Sequence, residues 1–511
     1  VLGTFRANKA GRLEQEVSLS SGQIVPCNIR VETSGGSATR PLANAPADCG
    51  DQNGGDGGDG GDGTTGHDGL VYAGPGTCLE CHDEHAKDVF ESTHYQWKGE
   101  APDMLNQGSG LQGKHAGGVN TYCGNITGNW EGCSSCHVGR GAEPEEFPTQ
   151  AQLENIDCMI CHQDAYKRKR VGGIFQPDTA NMSISLDEAV QTVHKPTRAS
   201  CLQCHAKAGG GDAVKRGDLA LATAHTADVQ YDVHMATTGA NLNCQSCHVP
   251  QNHRFPGKGS DIRPTDLDVD LDCTTGGCHS SAPHEGSEIN RHTDKVACQT
   301  CHIPIYGKNA GDSVATEATE LDRSWQAGSE HDHPPFHPVL VKANNQVPVY
   351  RYWNRASDNY LLFDVAYEDS ETGTYHTSVP DGGVNDPNSK LYTFKYKTSD
   401  YPLRNGSSQL IALDTSGFVA EADAEAAAIA GLENMGFDWD DPYQWVTTDT
   451  YQLLNHQVSP SDDALNCSAC HMSTARMDLQ GDFGFAPARS RATCASGCHS
   501  AEKAYEWEFG D

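Results

Sequence analysis

The chain has 511 residues, 36 basic against 69 acidic, for a formal net charge of −33, and only 36% of them are hydrophobic, a figure that includes 21 cysteines. The charge excludes a nucleic-acid partner, which needs a basic face, and an anionic membrane surface; no run of about 18 apolar residues exists to span a bilayer. So polar a composition buries little apolar surface against the entropy of ordering, so something besides side chains must fill the core.

The chain opens at Val1 rather than at methionine, from which removal of an export signal is expected. Residues 1–50 carry short apolar/polar alternation, as in Glu16-Val17-Ser18-Leu19 and Asn28-Ile29-Arg30-Val31, which predicts a small β-rich element. Cys27 and Cys49 share this stretch and are expected to form a disulfide. The run from Gly54 to Asp62 is Gly-Gly-Asp repeated, a flexible linker by composition. Its aspartates lack the full repeat of a calcium-binding β-roll. Residues 1–66 are therefore read as a β-like arm and linker.

Residues 67–302 are dominated by one pattern. Cys-x-x-Cys-His occurs at Cys78, Cys81, His82; Cys133, Cys136, His137; Cys158, Cys161, His162; Cys201, Cys204, His205; Cys244, Cys247, His248; and Cys298, Cys301, His302. A stretched copy, Cys273-Thr-Thr-Gly-Gly-Cys278-His279, brings the count in this segment to seven. The pattern is the c-type haem attachment signature. Two thiols add across the two vinyl groups of one porphyrin, and the next imidazole falls under the iron as an axial ligand. One copy could be a zinc or redox site; repetition of the full pattern, each copy ending in His, selects haem. Glycine in the long spacer allows it to bulge. Such density leaves room for only short helices and loops. The basic run Lys167-Arg168-Lys169-Arg170 within the segment is read as a solvated helix face.

Residues 303–466 hold no motif. Strand-like runs at Val347–Trp353, Tyr360–Val365 and Leu391–Lys397 and a helix around Ala420–Leu432 are predicted there. Residues 467–511 return to the pattern, with Cys467, Cys470, His471 and a second stretched copy at Cys494, Cys498, His499, before an aromatic and acidic end, Tyr505-Glu506-Trp507-Glu508-Phe509. Nine covalently bound haem c groups are thus expected. Their motifs use 18 of the 21 cysteines; Cys123, without an obvious partner, is read as a buried, inert thiol.

Nine of the 24 histidines belong to motifs, leaving 15 for nine second axial positions. His94, His234, His253, His284, His292 and His456 lie near motifs and are the leading candidates, followed by His115, His194 and His225. His85, within a helical turn of His82, is set lower, as are His67 beside the linker and His331, His333, His337 and His376, which lie far from any motif. With only seven methionines present, the supply of imidazole points to bis-His, low-spin, low-potential irons.

Several multi-residue blocks resemble the octahaem tetrathionate reductase family. They are Lys195-Pro196-Thr197-Arg198 before Cys201, the run Gly209 to Leu219, Asp232-Val233-His234-Met235, Asn120-Thr121-Tyr122-Cys123, Asn155-Ile156-Asp157, Leu454-Asn455-His456-Gln457-Val458 with Ala464-Leu465, and Tyr350-Arg351-Tyr352-Trp353-Asn354. The resemblance spans roughly residues 75–475 and implies a compact stack of haems in van der Waals reach of one another. Residues 1–66 and the motif at Cys494 fall outside it. In the family's enzymes the second haem is catalytic, with a lysine shortly after its motif as distal ligand. Here Val138-Gly139-Arg140-Gly141-Ala142-Glu143-Pro144-Glu145-Glu146-Phe147 contains none. Arginine is no replacement, because its guanidinium stays protonated and offers no lone pair. The family also tends to have His where this chain has Arg216.

The expected fold class is a multihaem cytochrome c, a mostly irregular and short α-helical chain wrapped around a stack of covalent haems with minor β elements. Two functions compete. One is an electron conduit, extracellular or at the cell surface, polymerising head to tail with neighbouring copies into a filament in which His67 is a candidate ligand to the next subunit's haem, and serving other redox proteins or extracellular acceptors. The other is an exported, periplasmic or extracellular reductase of a sulfur or nitrogen oxyanion such as tetrathionate or nitrite, or of hydroxylamine, at one open haem near Cys123, His137 and Arg140. An acidic surface repels anions, which favours the first.

Overall fold

The structure, a computed structural model, describes residues 28–33, 36–41, 66–106, 110–312, 318–332, 334–472 and 476–484. Cys27, Cys49, Glu16–Leu19, the Gly54–Asp62 linker, His333, the ninth motif with Cys494, Cys498 and His499, and the aromatic tail lie outside them. The chain forms two compact units, Val1–Gly66 and His67–Asp511. In the first, β1 (Asn28–Thr33) pairs antiparallel with β2 (Gly36–Pro41).

In the second unit the motif segments fold as helices of one or two turns: Met159–His162, Arg198–His205, Cys298–His302 and Cys467–His471 are α, and Cys244–Ser246 is 3-10. A turn is what Cys-x-x-Cys-His requires, since positions three apart share a helix face. Local caps start these turns. The Thr197 side chain accepts from Ser200 N–H while the Ser200 hydroxyl accepts from Thr197 N–H, and Asn466 caps at Ala469 N–H, 3.1 Å. The first motif lies in a longer helix, Gly76–Phe90, kinked at His82. In the stretched motif the extra residues are absorbed by Gly276 and Gly277, both left-handed at φ +68° and +77°.

Two short antiparallel pairs flank these turns, β3 (Gly99–Glu100) with β4 (Leu111–Gln112) and β5 (Arg168–Val171) with β6 (Ile174–Pro177). The basic run 167–170 is therefore largely strand, not a helix face. The left-handed glycines Gly172 and Gly173 turn the chain back on itself, and Arg168 and Arg170 both lie over the Phe175 ring.

The motif-free segment corrects the expectation of minor β elements. It builds an eight-stranded mixed sheet from β7 (Thr319–Glu330), β8 (Phe336–Ala343), β9 (Val349–Trp353), β10 (Ser357–Asn359), β11 (Tyr375–Pro380), β12 (Lys390–Arg404), β13 (Gln409–Leu410) and β14 (Tyr443–Leu453). The main order is β10-β11-β14-β12-β7-β8, with β9 and β13 also paired to β12. β12 and β14 run antiparallel from Phe394↔Leu453 to Arg404↔Tyr443. The predicted runs at Val347 and Leu391 fall in β9 and β12. Tyr360–Val365 is instead a turn: Phe363 is left-handed at φ +79°, and Asp364 N–H donates to Leu361 carbonyl. The predicted helix divides at left-handed Ala422 into Thr415–Glu421 and Ala424–Asn434, the second capped by Asp423.

One apolar core lies under the sheet, where Trp325, Tyr401, Leu403, Leu413 and Phe418 pack with Ala427 and Ala428. A second gathers Trp353, Tyr392, Phe394, Tyr451 and Leu453. The sheet is fastened to the motif-bearing chain by buried hydrogen bonds: Lys397 Nζ donates to Thr121 carbonyl (2.6 Å), Arg323 to Tyr122 carbonyl (3.0 Å), and Thr300 Oγ1 to Leu391 carbonyl (2.7 Å). A Cβ at Gly128 would run into the Leu413 carbonyl, so backbone meets backbone there. Among the described residues no helix is long and apolar enough to cross a membrane.

Candidate haem centres

Seven motif imidazoles face a second imidazole from elsewhere in the chain. The ring-centroid separations are 6.0 Å for His82–His67, 6.3 Å for His162–His253, 6.2 Å for His205–His94, 6.5 Å for His248–His456, 6.0 Å for His279–His234, 6.2 Å for His302–His284 and 6.1 Å for His471–His292. Two imidazoles on opposite sides of one iron, each bound through nitrogen at about 2 Å, put their centroids about 6.3 Å apart. The residues therefore fit a metal held between two rings, and the adjacent cysteines fit a porphyrin bound through two thioethers.

The pairing partners come from varied places. His94 lies in the turn Thr93–Gln96, which follows the first motif, yet faces the fourth. His292 ends the helix Ser287–His292 and faces the eighth. The six leading candidates all stand opposite motif rings. His115, His194 and His225 are in no such pair. His115 sits on the turn Lys114–Ala116, its N–H donating to Trp97 carbonyl. The His194 carbonyl lies 2.9 Å from His162 Nδ1, so His194 orients a motif ring from behind. His225 is exposed at the end of the turn Leu221–Ala224. His67, ranked low from sequence and considered for a neighbouring subunit, instead faces His82 within its own chain. His331 and His337 stack on each other at 4.1 Å beside the β7–β8 turn, and His376 lies between Asp369 and Asp449 in the sheet.

Nδ1 atoms in the pairs are oriented from behind by oxygens: His248 by Pro256 carbonyl (2.9 Å), His292 by Glu288 carbonyl (2.9 Å), His284 by Asn290 Oδ1 (3.2 Å), and His456 by Asp218 Oδ2 (3.2 Å). Such partners fix which nitrogen is free for iron.

Thiols of different motifs approach one another. Cys78 lies against Cys158, Cys136 against Cys204, Cys201 against Cys244 and Cys273 against Cys298. Cys161 lies near Cys201 and Cys204, Cys247 near Cys278, and Cys301 near Cys470. The motifs are thus neighbours in the order first, third, fourth, fifth, sixth, seventh and eighth, with the second beside the fourth.

The second motif differs. His137 is fully buried and, among the described residues, makes no ring pair with another imidazole; burial pushes its pKa down to about 4, with small further contributions from Arg168 and from His115 nearby. His137 Nε2 lies 2.5 Å from Tyr95 carbonyl, and the rings of Tyr95, Trp97 and Trp130 enclose it at 5.0, 5.3 and 5.6 Å. Arg168 donates to the carbonyls of Ser135 and Gly139 on either side, 2.6 and 2.8 Å. Arg140 is directed away, its Nε donating to Phe175 carbonyl. Cys123 is half-buried beside Arg323 Nη1 at 3.8 Å. Sequence spacing missed Lys114, whose ammonium donates to Gly124 carbonyl (2.6 Å). Burial pushes its pKa down to about 8, against the smaller upward pull of the nearby Cys133 thiol.

Residues 317–474 match the family Cytochrome c bacterial. An uncharacterised protein of Archaeoglobus fulgidus is 29% identical over a match covering 36% of this chain and 75% of that one. The crystal structure of an octahaem cytochrome c from Shewanella oneidensis superposes with a TM-score of 0.69 at 28% identity, covering 86% of this chain and 99% of that one.

Proposed function

We propose that this chain, a multihaem c-type cytochrome, is an electron conduit that holds nine covalent haems and works outside the cell as one subunit of a filament built from copies of itself. The observation that carries the reading is the set of seven facing imidazole pairs. Two strong nitrogen ligands leave an iron no position for a substrate. When bound, the haems supply reversible one-electron Fe(III)/Fe(II) chemistry.

The chain's own residues set the order of that path. The thiol contacts support a run from the His67/His82 pair at one end to the His292/His471 pair at the other, with the motif of His137 as a side branch at the fourth centre. The N-terminal arm and the ninth motif lie at opposite ends of the sequence, where a subunit needs attachments to reach the next. A heterologous contact that does not close generates a filament. Other redox proteins and extracellular acceptors are the partners at its ends.

Low-temperature EPR of the oxidised protein, with haem quantified on the same sample, tests the conduit. Low-spin ferric signals from at least seven haems are expected; high-spin signals from several haems overturn it. Negative-stain microscopy tests polymerisation, with fibres expected and single particles at high concentration overturning that part.

A second reading rests on His137. Its want of an imidazole ring pair among the described residues and the Lys114 amine beside Cys133 support an exported reductase of a sulfur or nitrogen oxyanion at that one haem. A high-spin signal of about one haem together with oxyanion turnover would favour it; a wholly low-spin spectrum would remove it.

A further inference from the structure

Asp218 is completely buried. Its Oδ2 accepts from the backbone N–H groups of Asn455 (3.0 Å) and His456 (3.2 Å) and lies 3.2 Å from His456 Nδ1. The Arg216 guanidinium straddles the carboxylate, Nε to Oδ1 and Nη2 to Oδ2, both at 3.3 Å, and is itself tied to Leu453 carbonyl at 3.0 Å. His456 faces His248 at 6.5 Å. The imidazoles of His162, His248, His284 and His292 direct Nδ1 to neutral oxygens instead. His234 stands 3.9 Å from Asp232, beyond hydrogen-bond distance.

We infer that Asp218 is a positioning residue that sets the reduction potential of the fifth centre, making His456 a stronger ligand than a carbonyl-bonded imidazole. The inference rests on the reading of His456 as an axial ligand. A carboxylate accepting Nδ1–H draws the proton toward itself and gives the ring imidazolate character. The more basic ring favours ferric iron, and so does negative charge held in a low-dielectric interior. Both effects lower the midpoint potential. Arg216 works against them, because it shares the carboxylate's charge. The pair therefore acts as a graded setting: more negative without the arginine, less negative without the aspartate. The fifth centre lies in the middle of the thiol-contact run, between the fourth and sixth motifs, so its potential governs passage in either direction.

Potentiometric titration of the full-length holoprotein, followed optically and by EPR, tests this with D218N and R216Q. In D218N one haem's midpoint is expected to rise while haem content stays whole. In R216Q the same haem's midpoint is expected to fall. Unchanged midpoints in both, or shifts of the same sign, overturn the inference. If D218N fails to fold, R216Q decides alone: a downward shift of one haem supports the charge setting, and an unchanged or upward one overturns it. His456→Ala separates this from the underlying reading. A new high-spin signal of one haem upholds His456 as a ligand, whatever Asp218 does; an unaltered low-spin spectrum removes that assignment itself.

Discussion

His94 stands opposite His205 with ring centroids 6.2 Å apart, although it belongs to the turn that follows the first motif and not the fourth. The chain thus hands a ligand forward, past two intervening motifs, and the first and fourth motif segments are held together through one metal position. Replacing His94 removes that hold without touching a thioether. His94→Ala is expected to keep its full complement of haem while converting about one haem to a high-spin ferric signal. EPR with haem quantification on the same sample checks it, and an unchanged low-spin spectrum would reject the pairing.

How much of this was legible follows from what fixes each feature. The thiols and motif imidazoles are dictated by covalent chemistry at adjacent positions, so spacing alone reads them. Facing imidazoles arrive by the fold: His253 reaches His162 from beyond two further motifs, and His67, isolated between linker and motif, gives no local signal. In the motif-free segment, aromatic and β-branched runs announced β9 and β12 because tertiary pairing agreed with propensity. It disagreed at Phe363, whose left-handed backbone ends what looked like a strand. The run Lys167–Arg170 reads as a helix face by charge alone, but the glycines that follow it make a hairpin.

That hairpin gives a second expected outcome. Arg168 clamps the chain on both sides of His137 through Ser135 and Gly139 carbonyls and lies 4.5 Å from the Phe175 ring centre. Bonds from a charged donor contribute about 1.5–3 kcal/mol each when buried, and less where the site is partly exposed. Arg168→Ala is expected to destabilise the protein by about 2 kcal/mol and to perturb the optical and EPR signature of one haem. Perturbation spread over several haems would show that the clamp is not local to the second motif.

Phe418 is fully buried and sits 5.0 Å edge-on from Trp325 beneath the sheet. Truncation there leaves a void that a helix-on-sheet core closes poorly. Phe418→Ala is expected to lower unfolding stability by about 3–5 kcal/mol without changing haem potentials, because this core touches no facing imidazole pair. Chemical denaturation and potentiometry on one preparation check both halves. A shift in potentials would mean that the sheet sets the haem environment directly.

His376 supplies a pH dependence. In the β11–β14 register it lies directly across from Asp449. Its Nδ1 is 2.6 Å from the buried Asp449 carboxylate, and its Nε2 is 3.0 Å from Asp369. Thr374 and Tyr396 hydroxyls complete the surroundings of Asp449. Burial on its own lowers the imidazole's pKa, but the hydrogen bond and charge of Asp449, followed by those of Asp369, outweigh it and raise the value above the ordinary one of about 6.5. A raised folded-state pKa means that the cation stabilises the fold fully below about pH 6.5 and ceases to do so as pH climbs through the folded value. Unfolding stability is therefore expected to decline from pH 6 toward pH 9. His376→Gln removes the cation and leaves Asp449 buried with its charge uncompensated, for a loss of roughly 2–3 kcal/mol at pH 6. The difference between the two proteins should shrink as pH rises, because the native imidazole loses its charge over the same range. Denaturation curves followed by circular dichroism across these pH values check it, and a gap between wild type and H376Q that stays constant from pH 6 to 9 would sink the charge-pair account.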